Sequence, residues 1–288
     1  MCLYEERVQY TNMRNKVWSI IGISVLGGIF LSFMYVNPFE GSITLSETIL
    51  QLSGSRGEFP LGTSATELMA FVMRMFPSNI FIMIFGTYLY NHFCTASVYV
   101  FTRQANRLTW YVKEAFQLLI YTFCFQVLTA VSVVLIACFR YEVTWNFAGF
   151  ILLLLHVVLH SFWVFSLTLI MNLVAMKLGS NMGFLVVAVV QMGCITLIGM
   201  MHVVERSKES MNVLNTMILI NPITRIIIGW HDSGNRILSD ALYSRYHVLF
   251  FSHSLVTLGI ISLLVVVIGG YVISKHDLLV NDTELGVI

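Results

Sequence analysis

Residues 148–176 read AGFILLLLHVVLHSFWVFSLTLIMNLVAM, without a single Asp, Glu, Lys or Arg. A hydrocarbon core roughly 30 Å thick needs about 20 apolar residues of helix, because the helix rises about 1.5 Å per residue and satisfies its own backbone hydrogen bonds. The stretch meets that requirement with room for tilt, and Lys177 lies just past its end. Working outward, five more runs of comparable character follow: Trp18–Val36, Asn79–Val100, Phe116–Cys138, Gly183–Val203 and Val248–Ile273. The sequence therefore predicts an all-α polytopic membrane protein with six transmembrane helices, 1–288 forming a single membrane domain. Hydrophobic residues make up 57% of the chain and charged residues 11%, against roughly 25% charged in a soluble domain.

A formal net charge of +1 and no basic run longer than two residues exclude nucleic acid as a partner, since phosphate contacts need a dense basic face. Cys2, Cys94, Cys124, Cys138 and Cys194 occur singly, mostly inside apolar runs. They lack CxxC spacing and point to neither zinc nor a disulfide framework. The first apolar run is too long for a signal-peptide core and has no small-x-small cleavage site after it, so it reads as a retained helix. With the N-terminus inside, the inner segments carry Arg7, Arg14, Lys16, Arg103, Arg107, Lys113, Lys177 and Lys275. The outer segments carry Arg56, Arg74, Arg140, Arg206, Lys208, Arg225, Arg236 and Arg245 over nearly twice the length. The density of basic charge places both termini in the cytoplasm.

Residues 1–17 mix charges with Leu3, Tyr4, Val8, Tyr10 and Met13, a pattern that suits either an N-terminal interfacial helix or a solvated tail. Residues 37–64 read as an outer loop. Glu67–Phe76 follows with Leu68, Phe71, Val72 and Met75 at helical spacing, predicting a short amphipathic helix. Val213–Trp230 (VLNTMILINPITRIIIGW) approaches a seventh span, but Asn221, Pro222, Thr224 and Arg225 sit in its middle. A central Arg costs about 2.5–3.5 kcal/mol on insertion scales, and Pro removes a backbone donor. A broken or re-entrant hairpin between spans five and six is cheaper than a crossing.

Phosphate-loop, G-x-S-x-G and H-E-x-x-H signatures do not occur. Carboxylates are nearly missing from the apolar runs, which disfavours an ion-coupled carrier. His156 and His160 lie four apart, on one helix face; that spacing suits two ligands to a metal, the lining of a polar cavity, or hydrogen bonds between packed helices. His92 and His253 also fall within predicted spans, so a haem-binding membrane oxidoreductase using His92, His156, His160 and His253 is the alternative reading. Met, Phe and Tyr number 15, 21 and 12 and suit a cavity for a bulky amphipathic compound as well as ordinary helix packing. The inner stretch FTRQANRLTWYVKEAF, Phe101–Phe116, continues a helix below the membrane. It sets Arg103, Arg107, Lys113 and Glu114 around Trp110 and Tyr111, a surface for a cytoplasmic partner or an interfacial girdle.

In its layout the chain resembles the membrane (permease) subunit of a bacterial type-2 ATP-binding cassette (ABC) exporter. YVFTRQANRLTWYVKEAFQLL at Tyr99–Leu119 resembles the coupling-helix region, and NPITRIIIGWH at Asn221–His231 the segment before span six. The resemblance implies two such membrane subunits, identical or paralogous, with two cytoplasmic ABC ATPase subunits that hold ATP and Mg. This chain itself would have no catalytic residue, cofactor or metal. It implies that Arg103, Arg107, Trp110, Lys113 and Glu114 lie at or beside the ATPase contact, with Lys177–Asn181 as a smaller second contact. The expected location is the bacterial cytoplasmic membrane. The expected substrate is a hydrophobic or amphipathic compound, with peptide antibiotics or bacteriocins, in export or immunity, as the favoured class.

Overall fold

The computed structural model describes residues 2–38, 41–54, 65–91, 107–206, 211–239, 241–242 and 249–275. Five helices in it are long and apolar enough to cross a bilayer: Lys16–Tyr35, Arg107–Arg140, Phe147–Leu178, Ser180–Met201 and Phe251–Ser274. The protein is a helical membrane protein. The remaining predicted span, Asn79–Val100, is described only as far as Asn91; 92–100 lie outside the described residues.

Helix α1, Cys2–Tyr35, is continuous, where the sequence suggested an interfacial segment separate from the first span. The reason is local, since no Gly or Pro precedes Gly22 to end the helix. A three-residue strand β1, Ser42–Thr44, leads into α2, Leu45–Ser53. Helices α3, Ala65–Arg74, and α4, Phe76–Phe85, come next, with Pro77 in the first turn of α4. Helix α5 spans Arg107–Arg140, strand β2 Glu142–Thr144 and helix α6 Phe147–Leu178. After α7, Ser180–Arg206, come α8, Met211–Ile220, two 3-10 turns at Thr224–Ile226 and Ile228–Trp230, strand β3, His231–Asp232, and the one-turn α9, Arg236–Ser239. Strand β4, Leu249–Phe250, opens α10, Phe251–Lys275.

The segment read as an outer loop contains a buried helix. Eight of the nine residues of α2 are buried. Thr44 and Glu47 form a capping box: Glu47 N–H donates to Thr44 Oγ1 at 3.2 Å and Thr44 N–H to Glu47 Oε2 at 3.0 Å. Gly54 ends the helix at φ +83°. Parallel pairing of β1 with β2, Ser42 opposite Glu142 through Thr44 opposite Thr144, fixes α2 to the start of α6. There Ser46 N–H and Gly149 N–H both donate to Asn146 Oδ1. A side chain at Gly149 would collide with Leu45, so the glycine sets this close approach. The bundle thus has a strand end, carrying β1, β2 and α2, and a far end, carrying Lys16, Arg107 and the α6–α7 turn.

Helix α6 is the most enclosed of the five spanning helices, with α2, α4, α5, α7 and α10 packed around it. Lipid is as apolar as Leu, so the packing must come from shape and hydrogen bonds. Helix α1 meets α5 at Gly28, where a Cβ would strike Ser132 and the Thr129 carbonyl, and Ser24 Oγ donates to the Phe125 carbonyl at 3.3 Å. Phe81, Phe85 and Phe125 stack at 4.5 and 4.6 Å. Ser166 and Ser262 join α6 to α10 at 2.9 Å. Outward, α10 presents Val256, Ile260, Leu263, Val267 and Tyr271 at helical spacing, all at least half exposed, a stripe suited to lipid.

Candidate functional site: a polar interior between two inserted segments

The stretch 211–231 does not cross the bundle. It enters beside α7, turns and comes back. Asn221 Nδ2 donates to the Cys194 carbonyl at 2.8 Å, a position in α7 that precedes its end at Arg206 by 12 residues, about 18 Å of helix. From that tip the chain returns. Ile226 lies beside His160, Ile228 packs with Leu45 and Leu152, and β3 pairs with β4 at the head of α10.

Asn221, Pro222 and Arg225 therefore form the tip that the sequence marked, and most polar groups there have a local partner, Arg225 Nη1 being buried without one. Pro222 precludes a continuing helix. Asn221 Oδ1 accepts from Ile223 N–H at 3.1 Å, and Thr224 Oγ1 donates to the Ile218 and Asn221 carbonyls, both at 2.6 Å. Arg225 Nη2 donates to the Leu219 carbonyl at 2.6 Å, so the guanidinium closes the end of α8; burial lowers its pKa from the usual arginine value. His231 pins the returning limb. Its Nδ1 donates to the Ile227 carbonyl at 3.0 Å, which leaves Nε2 to accept from Ser254 Oγ at 2.8 Å. Its ring stacks on Phe251 at 4.5 Å. Burial holds this imidazole at a pKa of about 4, against the lesser opposing pull of the Ile227 and Ile228 carbonyls.

Among α1 to α6 lies a small cavity of about 30 Å³, where Ser53, Arg74, Ser78, Gln126, Thr129, His156 and His160 meet apolar neighbours that include Met75 and Leu31. His156 and His160 are 5% and 8% exposed, and their rings are 4.0 Å apart. Gln126 Nε2, His156 Nδ1 and His160 Nε2 are buried without a hydrogen-bond partner. Since buried polar atoms are nearly always paired, these three give the cavity hydrogen-bonding capacity in reserve, as Ser32, Tyr111, Ser161, Trp163 and Arg225 do at other places among the described residues. Among the described residues no group of three or more His, Cys, Asp or Glu is arranged to hold a metal. The geometry gives a bis-histidine haem no support: the two rings face each other, the cavity is far smaller than a porphyrin, His253 is exposed and His92 lies outside the described residues.

At the far end, Arg103 lies outside the described residues, whereas Arg107 and Trp110 are half-buried and Lys113 is exposed. Glu114 is turned inward, 5% exposed. It accepts from Tyr88 Oη at 2.7 Å, and Lys16 Nζ sits 4.1 Å over the Tyr88 ring. Lys177 and Asn181 are exposed at the α6–α7 turn. Sequence reasoning missed two interior groups. Glu114 was placed on a surface, though its buried neighbours Tyr111, Ala115 and Leu118 at helical spacing mark the inner face. Asn172 carries no sequence signal beyond being an amide in an apolar run. Its Oδ1 accepts from Leu89 N–H at 2.7 Å, and its Nδ2 donates to the Phe85 and Thr168 carbonyls at 2.9 and 2.8 Å. It thereby bridges the break at Gly86–Thr87.

No protein-family model, curated protein or solved structure matches the chain.

Proposed function

We propose that this chain is the pathway-forming membrane subunit of a type-2 ABC exporter, powered by a separate ATPase and paired with a second membrane subunit. The observation that carries the reading is the excursion 211–231, which enters the bundle between the last two spanning helices and returns before α10. Helix α5 adds support. Its 34 residues extend about 51 Å, some 20 Å more than a bilayer core requires. That excess carries Arg107, Trp110 and Lys113 to the same end as Lys177 and Asn181, a surface that suits a cytoplasmic ATPase. Positive-inside reasoning puts this end, and both termini, in the cytoplasm, and the resemblance makes the membrane a bacterial one. The substrate is a hydrophobic or amphipathic compound, and peptide antibiotics or bacteriocins are the favoured class.

Co-expression with a candidate phosphate-loop ATPase tests the reading. The two co-purify, and charge reversal at Arg103, Arg107 and Lys113 detaches the ATPase or uncouples its hydrolysis while the membrane subunit still inserts. Failure of any such ATPase to associate sinks the proposal, and unchanged association in the variant removes the docking assignment. A second reading, an ion-coupled carrier, draws on the buried Glu114 beside Tyr88 and Lys16. Flux that persists without ATP and collapses with the ion gradient would favour it.

A further inference from the structure

The small cavity among α1 to α6 gathers three buried side-chain atoms that have no hydrogen-bond partner: Gln126 Nε2 from α5, and His156 Nδ1 and His160 Nε2 from α6. All three side chains are more than nine-tenths buried. Charge is costly to bury, so each ring is neutral, with a proton on one nitrogen and a lone pair on the other. The Ile226 carbonyl faces His160 from the returning limb and accepts from it. Since Nε2 has no partner, the proton toward Ile226 sits on Nδ1 and Nε2 keeps the lone pair. The other polar side chains of the lining are engaged elsewhere. Ser53 and Thr129 spend their hydroxyl protons on the Leu50 and Phe125 carbonyls, and the Arg74 guanidinium lies 4.4 Å over the Tyr35 ring. What remains is one N–H from an amide and a lone pair on each ring, the complement of a molecule that accepts once and donates twice. Water meets that description, and a space of about 30 Å³ takes a water or two and nothing larger.

We propose that this cavity binds one ordered water, which accepts from Gln126 Nε2 and donates to His156 Nδ1 and His160 Nε2. The two rings, 4.0 Å apart, are close enough to share one molecule. They are then opposite tautomers, His156 protonated on Nε2 and His160 on Nδ1. A single chain of hydrogen bonds runs from the Ile226 carbonyl through His160 and the water to Gln126. It joins the returning limb, α6 and α5, three elements whose side chains make no direct polar bond to one another here. The water is thus a joint between the inserted segment and the bundle, and its bonds satisfy groups that would otherwise cost stability.

The test uses the full chain in detergent, labelled with nitrogen-15 at histidine. Ring-nitrogen shifts assigned to His156 and His160 show two neutral rings of opposite tautomer at neutral pH. A structure that resolves ordered water shows one density peak within about 2.7–3.2 Å of all three atoms. Gln126→Met and His160→Phe each lower the melting temperature by at least about 2 °C. The double variant loses clearly less than the sum, because a bridge already broken from one side has little left to lose from the other. Like tautomers, a charged ring, a metal ion in the density, a cavity without density, or additive losses in the double variant overturn the proposal. The nitrogen shifts and the density are read on the unaltered chain, so they decide the matter even where a variant fails to fold. None of these outcomes depends on an ATPase, so this site and the exporter reading fail separately.

Discussion

Replacing Asn172 by Leu removes one side-chain amide and keeps nearly the same volume, so the change isolates its hydrogen bonds from cavity effects. Leu89 N–H and the Phe85 carbonyl each lose their cross-helix partner; the Thr168 carbonyl keeps its place in the α6 ladder. Asn172 and Leu89 are both fully buried, so neither orphaned group gains water in exchange. Leaving a buried donor or acceptor unsatisfied costs about 1–3 kcal/mol, which gives about 2–6 kcal/mol for the pair. Interhelical hydrogen bonds measured in a membrane average only about 0.6 kcal/mol, since groups freed in lipid find other partners; that reasoning gives just over 1 kcal/mol for two. The enclosure of this break between α4 and α6 argues for the larger figure. Thermal unfolding in detergent, with hydrogen exchange at the Leu89 amide, decides between them. The expected result is a melting temperature lowered by at least about 4 °C, at roughly 2–4 °C per kcal/mol, and loss of protection at Leu89. A loss below about 1 kcal/mol with Leu89 still protected would refute the claim that Asn172 holds the break closed.

Gly28→Val drives side-chain atoms into Ser132 and the Thr129 backbone; overpacking of this kind costs about 1–3 kcal/mol and separates α1 from α5, measurable as a lowered melting temperature with faster cross-linking of α1 by lipid-phase reagents. Thr44→Ala deletes the cap of α2 and costs about 1 kcal/mol, visible as increased protease cleavage within 41–54. His231 is neutral when folded, at a pKa of about 4, against roughly 6.5 when unfolded. The unfolded chain therefore binds the proton first as pH falls. The stability from burying the neutral ring is complete above about pH 6.5 and is lost between there and pH 4, up to about 3 kcal/mol, and denaturation curves for His231→Gln show a shallower acid slope across that window.

The spanning helices were legible because bilayer thickness dictates a length that few other constraints mimic. The turn at Asn221–Pro222 was legible because a Pro and an Arg in one apolar run make a crossing costly. The histidine pair was legible as a shared face from its spacing alone, but its unpaired nitrogens were not, since they depend on what α2 and Ile226 bring alongside. Helix α2 escaped notice because Leu45–Ser53 alternates Leu and Ile with Ser, Glu, Thr and Gln, a composition that reads as solvated. The capping box Thr44–Glu47 and the terminating Gly54 were its available signals. Once Gln51 is bonded to both backbone groups of Asn37, and Thr48 and Ser53 to carbonyls of their own turn, the helix can be buried without orphaned side chains. Glu114 was misplaced because a carboxylate near a membrane boundary is ordinarily solvated, and only the tertiary partner Tyr88 gives it a reason to turn inward.

The parallel pairing of Ser42–Thr44 with Glu142–Thr144 sets a timetable for biogenesis. Ser46 finds its partner Asn146 only after 100 further residues have been made, and at roughly 5–20 residues per second that interval lasts about 5–20 s. Throughout it, the segment that will become α2 has no groove to enter, because α5 and α6 have yet to be inserted. Its edge strand stays unpaired and its apolar face uncovered for the whole wait. The polar half of its sequence keeps it soluble at the membrane surface until α5 and α6 arrive to receive it.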